Sequence, residues 1–487
     1  TPDGAIRDVN LENRWANPTT RLTAWRWLPQ PQLAPLDVHF GALTLNAAGM
    51  APDRVESANR PLAVRLRWQV ATDAIGHGYQ VSLRVQDDNG RVWASRDLPV
   101  ARQDELSTTK GALFVPQTAP AEFEMLTGLL IPAGIPPGAY QIVVGVSESQ
   151  DTAPAADVAG ESTVAPLFPS GQATPFVQIG ALQVDVPTAP LPAFRLPIQH
   201  GLEPVVQRQG VAFLGYAGFD AANSILAGAD FTMVLFLQNR LDGSPPPHNL
   251  YVSLLDDTGV GVAGWEGWPL PAYPSQQWAA GALVQAPIEF ALPATLESGA
   301  YRVITGLLDP DTGEKIPPVA LGAVQIRQRP AFFDAPTMTH PLTAPVQFGS
   351  HAQLIGYDLT PLPTGEQIDL RLYWRVLQPL LPAHNIFVHL EDEGGQIVAQ
   401  SDGPPRLAFA SRAAEDAPTG SWRTDEYLAT RHVIILPSAV QLDTSTGEMT
   451  RAGQPLQLRV GLYVPPAGPR LPAFINGQPA GDAAVLP

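Results

Sequence analysis

One pattern recurs three times in this chain and constrains its fold more than any other feature. "NLYVSLLDDTGVGVAG" (residues 249–264) and "NIFVHLEDEGGQIVAQ" (385–400) align without a gap, each with a His in front, His248 and His384. "VSLRVQDDNGRVWAS" (81–95) follows the same plan. In each copy apolar residues alternate with polar ones, then come acidic residues and a Gly: Gly90, Gly259 or Gly395. Period two is the signature of a strand with one buried face. Asn89–Gly90 predicts a two-residue hairpin turn, because both residue types tolerate positive φ.

Other pieces repeat around this hairpin. Upstream lies a long alternating strand, with Leu62, Val64, Leu66, Trp68 and Val70 in the first copy and Ile368, Leu370, Leu372, Trp374 and Val376 in the third. The middle copy, "DFTMVLFLQ" from Asp230, is apolar on both faces, as expected of a strand sandwiched by a neighbour. Downstream, "GAYQIVVGV" and "GAYRVITGL" are near copies, and "PLQLRVGLY" keeps the spacing to its glycine; the three are Gly145, Gly306 and Gly461. "FLGY" (213–216) and "LIGY" (354–357) open two units, and "HFGA" (39–42) marks the start of the other.

Each unit therefore reads as opening strand, long strand, acidic hairpin, variable loops and closing strand. Proline fills 52 of 487 positions, about twice the usual share, which disfavours helices and central strands and stiffens linkers. The expectation is an all-β chain of three tandem β-sandwiches, immunoglobulin-like or jelly-roll-like. Their bounds are 36–190, 199–328 and 331–487, joined by Pro-rich linkers and preceded by an N-terminal arm, 1–35.

Composition narrows the function. A formal charge of −17 argues against a nucleic-acid partner, since phosphate binding needs a basic face. The absence of cysteine removes disulfides, thiolate catalysis and Cys-based zinc sites. No apolar run reaches the roughly 18 residues of a membrane helix. The start at Thr1 is compatible with removal of a leader or of a preceding membrane part. No phosphate loop, HExxH or GxSxG motif is present. "DPDTGEK" from Asp309 reads as a hairpin turn rather than a calcium loop, which needs a longer run of oxygen ligands.

Two clusters of aromatic residues stand out. Trp265, Trp268 and Trp278 crowd the variable part of the second unit, and Trp422, with Asp425 and His432 nearby, occupies the equivalent part of the third. Flat rings beside polar groups are what sugar-binding surfaces use; the competing reading is tryptophans that anchor large loops. Trp15, Trp25 and Trp27 lie in the N-terminal arm, which is expected to pair with a sheet edge of a neighbouring copy.

The third unit also carries a family resemblance. "LIGYDL", "LRLYWRV", "NIFVHLEDEGGQIVAQSDGPP", "SWRTDEYLATRHVIILP" and "LRVGLYVPPAGPRLP" together resemble a module found after the membrane-spanning part of Chloroflexota glycosyltransferase-like proteins. The match covers residues 345–472; the first two units are weaker relatives. That pattern follows its Trp with Pro-Gly-Glu and then Asp-x-His. Here Arg423, Thr424, Asp425 and Glu426 follow Trp422, and Thr430 and Arg431 precede His432. The resemblance implies an extracytoplasmic accessory region.

The leading expectation is a non-catalytic extracytoplasmic structural or assembly protein, with no cofactor or metal and with itself or other surface proteins as partners. A glycan-binding accessory region is the alternative. A glycoside hydrolase ranks last, because nothing in the spacing of the carboxylates selects a catalytic pair.

Overall fold

A computed structural model describes residues 5–7, 25–27, 30–56, 60–71, 78–102, 113–115, 121–149, 164–167, 169, 174–187, 193, 196–362, 367–408, 415–437, 440–442, 449–465 and 468–486. Beyond a two-stranded ribbon of Ala5–Arg7 and Trp25–Trp27, the described strands fall into three successive groups, and no sheet draws strands from two of them. Each group packs two sheets around its own core. The chain is all-β, with no α-helix among the described residues.

The strand order repeats. In the first sheet of each group the opening strand (Leu43–Ala51, Val211–Ala217, Ala352–Pro361) pairs with the long strand (Arg60–Val70, Asp230–Asn239, Gln367–Val376). The long strand then pairs with a later one (Ala121–Ile131, Leu283–Ala291, Tyr427–Ile435). In the second sheet the hairpin strand (Gly78–Gln86, Asn249–Leu255, Asn385–Glu391) pairs with the closing strand (Gly138–Ser149, Gly299–Leu308, Gln457–Tyr463). The closing strand pairs in turn with the last strand of the group (Phe176–Asp185, Val319–Arg327, Ala484–Leu486). This is the A-B-E against G-F-C-C′ arrangement of an immunoglobulin-like sandwich. The first two groups add a short parallel strand on the last one, Arg54–Glu56 and Ser224–Leu226.

The alternation read from sequence is a burial pattern. Leu62, Val64, Leu66, Trp68 and Val70 are buried, and so are Ile368, Leu370, Leu372, Trp374 and Val376. Trp68 packs on Phe40 at 6.0 Å and Trp374 on Phe348 at 5.7 Å, both rings tilted by 53°. The "HFGA" segment needs a correction. Its Gly41 (φ 58°) lies in the turn before the opening strand, and the counterpart of "FLG" and "LIG" is Leu45–Ala47, where each opening strand carries the same register shift.

The recurring turn is also corrected. Only the glycine takes positive φ: 77° at Gly90, 87° at Gly259 and 76° at Gly395. The residue that closes the turn is the first acid. The amides of Gly90, Gly259 and Gly395 donate to the carbonyls of Asp87, Asp256 and Asp392. Each of those aspartates places Oδ1 on two further amides: Asn89 and Arg91, Thr258 and Val260, Gly394 and Gln396. The result is a three-residue loop ending in a glycine bulge, with a register shift beside it in each hairpin. The Thr258 hydroxyl, followed by the Val260 amide, holds the Asp256 carboxyl below its ordinary pKa. Asp309 works likewise, accepting the amides of Asp311 and Thr312.

The closing strand repeats two further devices. Tyr140 and Tyr301 donate from Oη to the carbonyls of Pro136 (2.6 Å) and Glu297 (3.1 Å), the tyrosine corner of such sandwiches. The third unit has buried Leu456 at that place. Five residues further on, each interior glycine lies under an aromatic ring: Gly145 under Phe176, Gly306 under Tyr251 and Gly461 under Phe387. A cation lies over each ring: Arg84 at 4.1 Å, Lys315 at 5.0 Å and Arg470 at 4.3 Å from its centroid.

A Cβ on Gly306 would stand 2.6–2.7 Å from the Tyr251 ring. Gly306→Ala is therefore expected to cost about 1–3 kcal/mol by overpacking, read as a lower denaturation midpoint, whereas Gly243→Ala, with open space around it, leaves the midpoint within about 0.5 kcal/mol.

Candidate functional site

Two of the tryptophans singled out from sequence lie inside the cores, where no sugar could stack on them. Trp278 and Trp422 are both 0% exposed. Each ends a single 3₁₀ turn, Ser275–Gln277 and Thr419–Ser421, introduced by Pro274 and Pro418. The turn's first hydroxyl ties the loop to the hairpin strand. Ser275 Oγ accepts the His248 amide and donates to the Pro246 carbonyl; Thr419 Oγ1 accepts the His384 amide and donates to the Leu380 carbonyl. Trp278 then packs on Trp268 at 5.6 Å and Trp422 on Trp374 at 5.9 Å. Both are loop anchors, which corrects the stacking role. A Pro-Ser/Thr-x-x-Trp spacing, "PSQQW" and "PTGSW", was present in the sequence to signal this.

The other predicted residues diverge. His432 is inside the third core, while Asp425 (φ 65°) faces solvent, 3.3 Å from Arg375. With Trp422 buried, these three share no surface. Trp265 and Trp268 are half-buried, and Trp268 Nε1 is spent on the Tyr273 carbonyl. Trp15 lies outside the described residues. Trp25 and Trp27 belong to a short strand paired with Ala5–Arg7. His248 and His384 are buried at the head of their strands, and burial holds both rings below the ordinary histidine pKa.

The structure does bring charged groups together at the junction of the second and third units. Arg329, in the linker, is 3% exposed and Glu426 is 0% exposed. Arg329 Nε donates to Ser421 Oγ at 3.0 Å. Its Nη2 donates to the Ser421 carbonyl and to Glu426 Oε2, both at 2.6 Å, and its Nη1 to the Pro330 carbonyl and Glu426 Oε1. All five guanidinium N–H groups thus have acceptors, which a buried arginine requires. Glu426 Oε2 also accepts the Arg423 amide, and the linker amide ladder continues from Tyr427 N to the Phe332 carbonyl. Beside this hub two glycines touch: a Cβ on Gly228 would collide with Gly420 and Ser421, and one on Gly420 with Gly228. Arg327 pairs with Glu415 across the same junction.

The junction of the first and second units is apolar. Ala133 and Leu196 form one buried cluster with Ala212, Leu214, Phe236 and Leu283 on the outer face of the second unit's first sheet. That cluster explains why the middle long strand is apolar on both faces. Gln285 bonds back to the loop, its amide to the Gly134 carbonyl at 2.9 Å and its Nε2 to the Ala133 carbonyl. Arg91, next to the first hairpin's glycine, donates to the Pro269 carbonyl at 3.0 Å.

No family model and no curated protein matches the chain. Among solved structures, a marsupial T cell receptor is 8% identical, covering 88% of this chain and 98% of its own, with a TM-score of 0.16. A Mobiluncus mulieris adhesin containing intramolecular disulfide, isopeptide and ester bond cross-links is 10% identical over 53% and 79%, with a TM-score of 0.16. The C-terminal domain of a Streptococcus pyogenes antigen I/II-family protein is 10% identical over 56% and 98%, with a TM-score of 0.15. At such scores the likenesses carry no argument. The class, a protein of tandem immunoglobulin-like β-sandwiches, is defined by the strand order above. Among the described residues no helix is long and apolar enough to cross a membrane.

Removing one partner of a buried ion pair strands the other charge. Glu426→Ala is expected to destabilise the third unit by about 3–5 kcal/mol in chemical denaturation. Arg375→Ala, which breaks the exposed pair with Asp425, is expected to change it by less than about 1 kcal/mol.

Proposed function

We propose that the chain is a non-catalytic extracytoplasmic spacer, a stiff series of β-sandwiches that holds other parts of a surface protein or assembly at a fixed separation. The observation that carries this reading is the Arg329 hub. A linker meant only to tether would leave its arginine in water. This one buries the guanidinium and commits every donor, so the linker becomes part of the next unit's packing. The apolar cluster at the other junction acts in the same sense. Several polar groups that could serve chemistry are engaged structurally: Asp87, Asp256 and Asp392 close turns, and Ser275 and Thr419 fasten loops.

Extracytoplasmic placement is supported by the tandem architecture, an argument from fold rather than from a site. The resemblance of the third unit to a Chloroflexota accessory module points the same way.

Small-angle scattering of the full chain tests the spacer. A stiff series gives one elongated particle whose maximum dimension is the same at low salt and at 1 M salt, because the Arg329–Glu426 pair is out of reach of screening ions. A dimension that shrinks with salt, or a scattering curve that needs an ensemble of shapes, overturns the spacer reading.

A further inference from the structure

The third unit contains a cluster of titratable groups that the spacer reading does not use. After the hairpin, Ile397–Gln400 pairs with Asn385–Glu391 in one sheet, and Arg406–Leu407 then meets Tyr427–Ile435 in the other. The segment between passes from one sheet to the other. It is held by backbone bonds from Ser401 to Val388 and from Gly403 to Ile386. Asp402 adds a side-chain clamp: Oδ1 accepts the Val388 amide at 3.2 Å, and Oδ2 lies 3.2 Å from His389 Nε2.

Directly under this strap lies His432, on the inward face of its strand. Its Nε2 is 3.3 Å from Thr430 Oγ1, which also accepts Trp374 Nε1 at 3.0 Å. The Ser401 carbonyl of the strap is its other partner. The charged groups around it are Asp402 on the strap, Asp369 on the long strand with its partner Arg431, and, across the strap, His389 and Glu391 with Arg459. Burial outweighs the pull of the two aspartates and pushes the His432 ring down to about 4. A neutral imidazole is thus sealed beneath a strap whose Ser401 backbone it helps to hold.

We propose that residues 397–407 form an acid-released strap, which lifts off the side of the third sandwich when His432 takes up a proton. The sign follows from linkage. With the strap closed, His432 binds its proton only near pH 4; with it open, near the ordinary 6.5. The closed state loses stability as pH falls from about 6.5 towards 4 and is at full strength above that window. Lifting the strap frees the edge of Asn385–Glu391 while leaving the ladder between that strand and Gln457–Tyr463 intact.

Amide hydrogen exchange on the full chain tests this at pH 7 and pH 4.5, corrected for intrinsic rates. Protection at Ser401 and Gly403 is expected to fall by about 10²-fold, with the Ile386–Tyr463 ladder changing less than about threefold. In His432→Gln the fall is expected to disappear. Equal loss in variant and wild type, which would assign the effect to the carboxylates, overturns the proposal, and so does no loss in either. Should the variant not fold, the wild-type ring titration decides by NMR. A midpoint near 4 that coincides with loss of Ser401 protection supports the strap; a midpoint near 6.5 with protection retained overturns it.

Discussion

The arrangement of the second and third units depends on one buried charge. Arg329 cannot sit in the interior without a full set of acceptors, because an unpaired guanidinium there costs several kcal/mol. Meeting that demand fixes the Ser421 carbonyl and hydroxyl, the Glu426 carboxylate and the Pro330 carbonyl at once. The same 3₁₀ turn that supplies Ser421 also seats Trp422 in the core and fastens the head of the hairpin strand through Thr419. The linker, the loop anchor and the core are therefore one cooperative piece. The Gly228–Gly420 contact is its geometric counterpart, since no side chain fits where the units approach.

The three copies of the acidic hairpin have a common cause as well. An immunoglobulin-like sandwich needs a tight reversal between C and C′ at the sheet edge. An aspartate that accepts two amides, followed three residues later by a glycine in the left-handed region, makes that reversal within five residues. The closing strand shows the complementary logic. Its glycine leaves a gap that a ring from the neighbouring strand fills, and a cation lies over that ring. Because these devices are local and do not compete, they survive in units that otherwise differ in their loops and in their tyrosine corner.

Fold class and strand periodicity are legible because period-two burial is written directly into residues such as Leu62–Val70 and Ile368–Val376. The two-faced apolarity of Asp230–Asn239 correctly announced a neighbour. The turn type is not legible: Asn89–Gly90 looks like a two-residue turn, and the backbone and side-chain bonds of Asp87 show a three-residue one. For the tryptophans the sequence leaves stacking and loop anchoring both open, and the structure gives Trp278 and Trp422 to anchoring. Composition shows a ring beside polar residues, but not that Ser275 and Thr419 turn it inward. Nothing in "RQRPAFFDAP" distinguishes Arg329 from a solvated arginine, since its acceptors other than the Pro330 carbonyl, on Ser421 and Glu426, lie 92 and 97 residues away in sequence. The strap over His432 was hidden likewise, because it depends on a strand switching sheets.

The junction can be measured directly, since the chain has no cysteine of its own. Spin labels at Asp257→Cys and Glu393→Cys occupy equivalent, exposed positions in the second and third hairpin turns. Pulsed electron paramagnetic resonance between them should return one narrow distance, no wider than the label's own rotamers allow. A broad or multimodal distribution would show that the units pivot and would contradict the Arg329 lock.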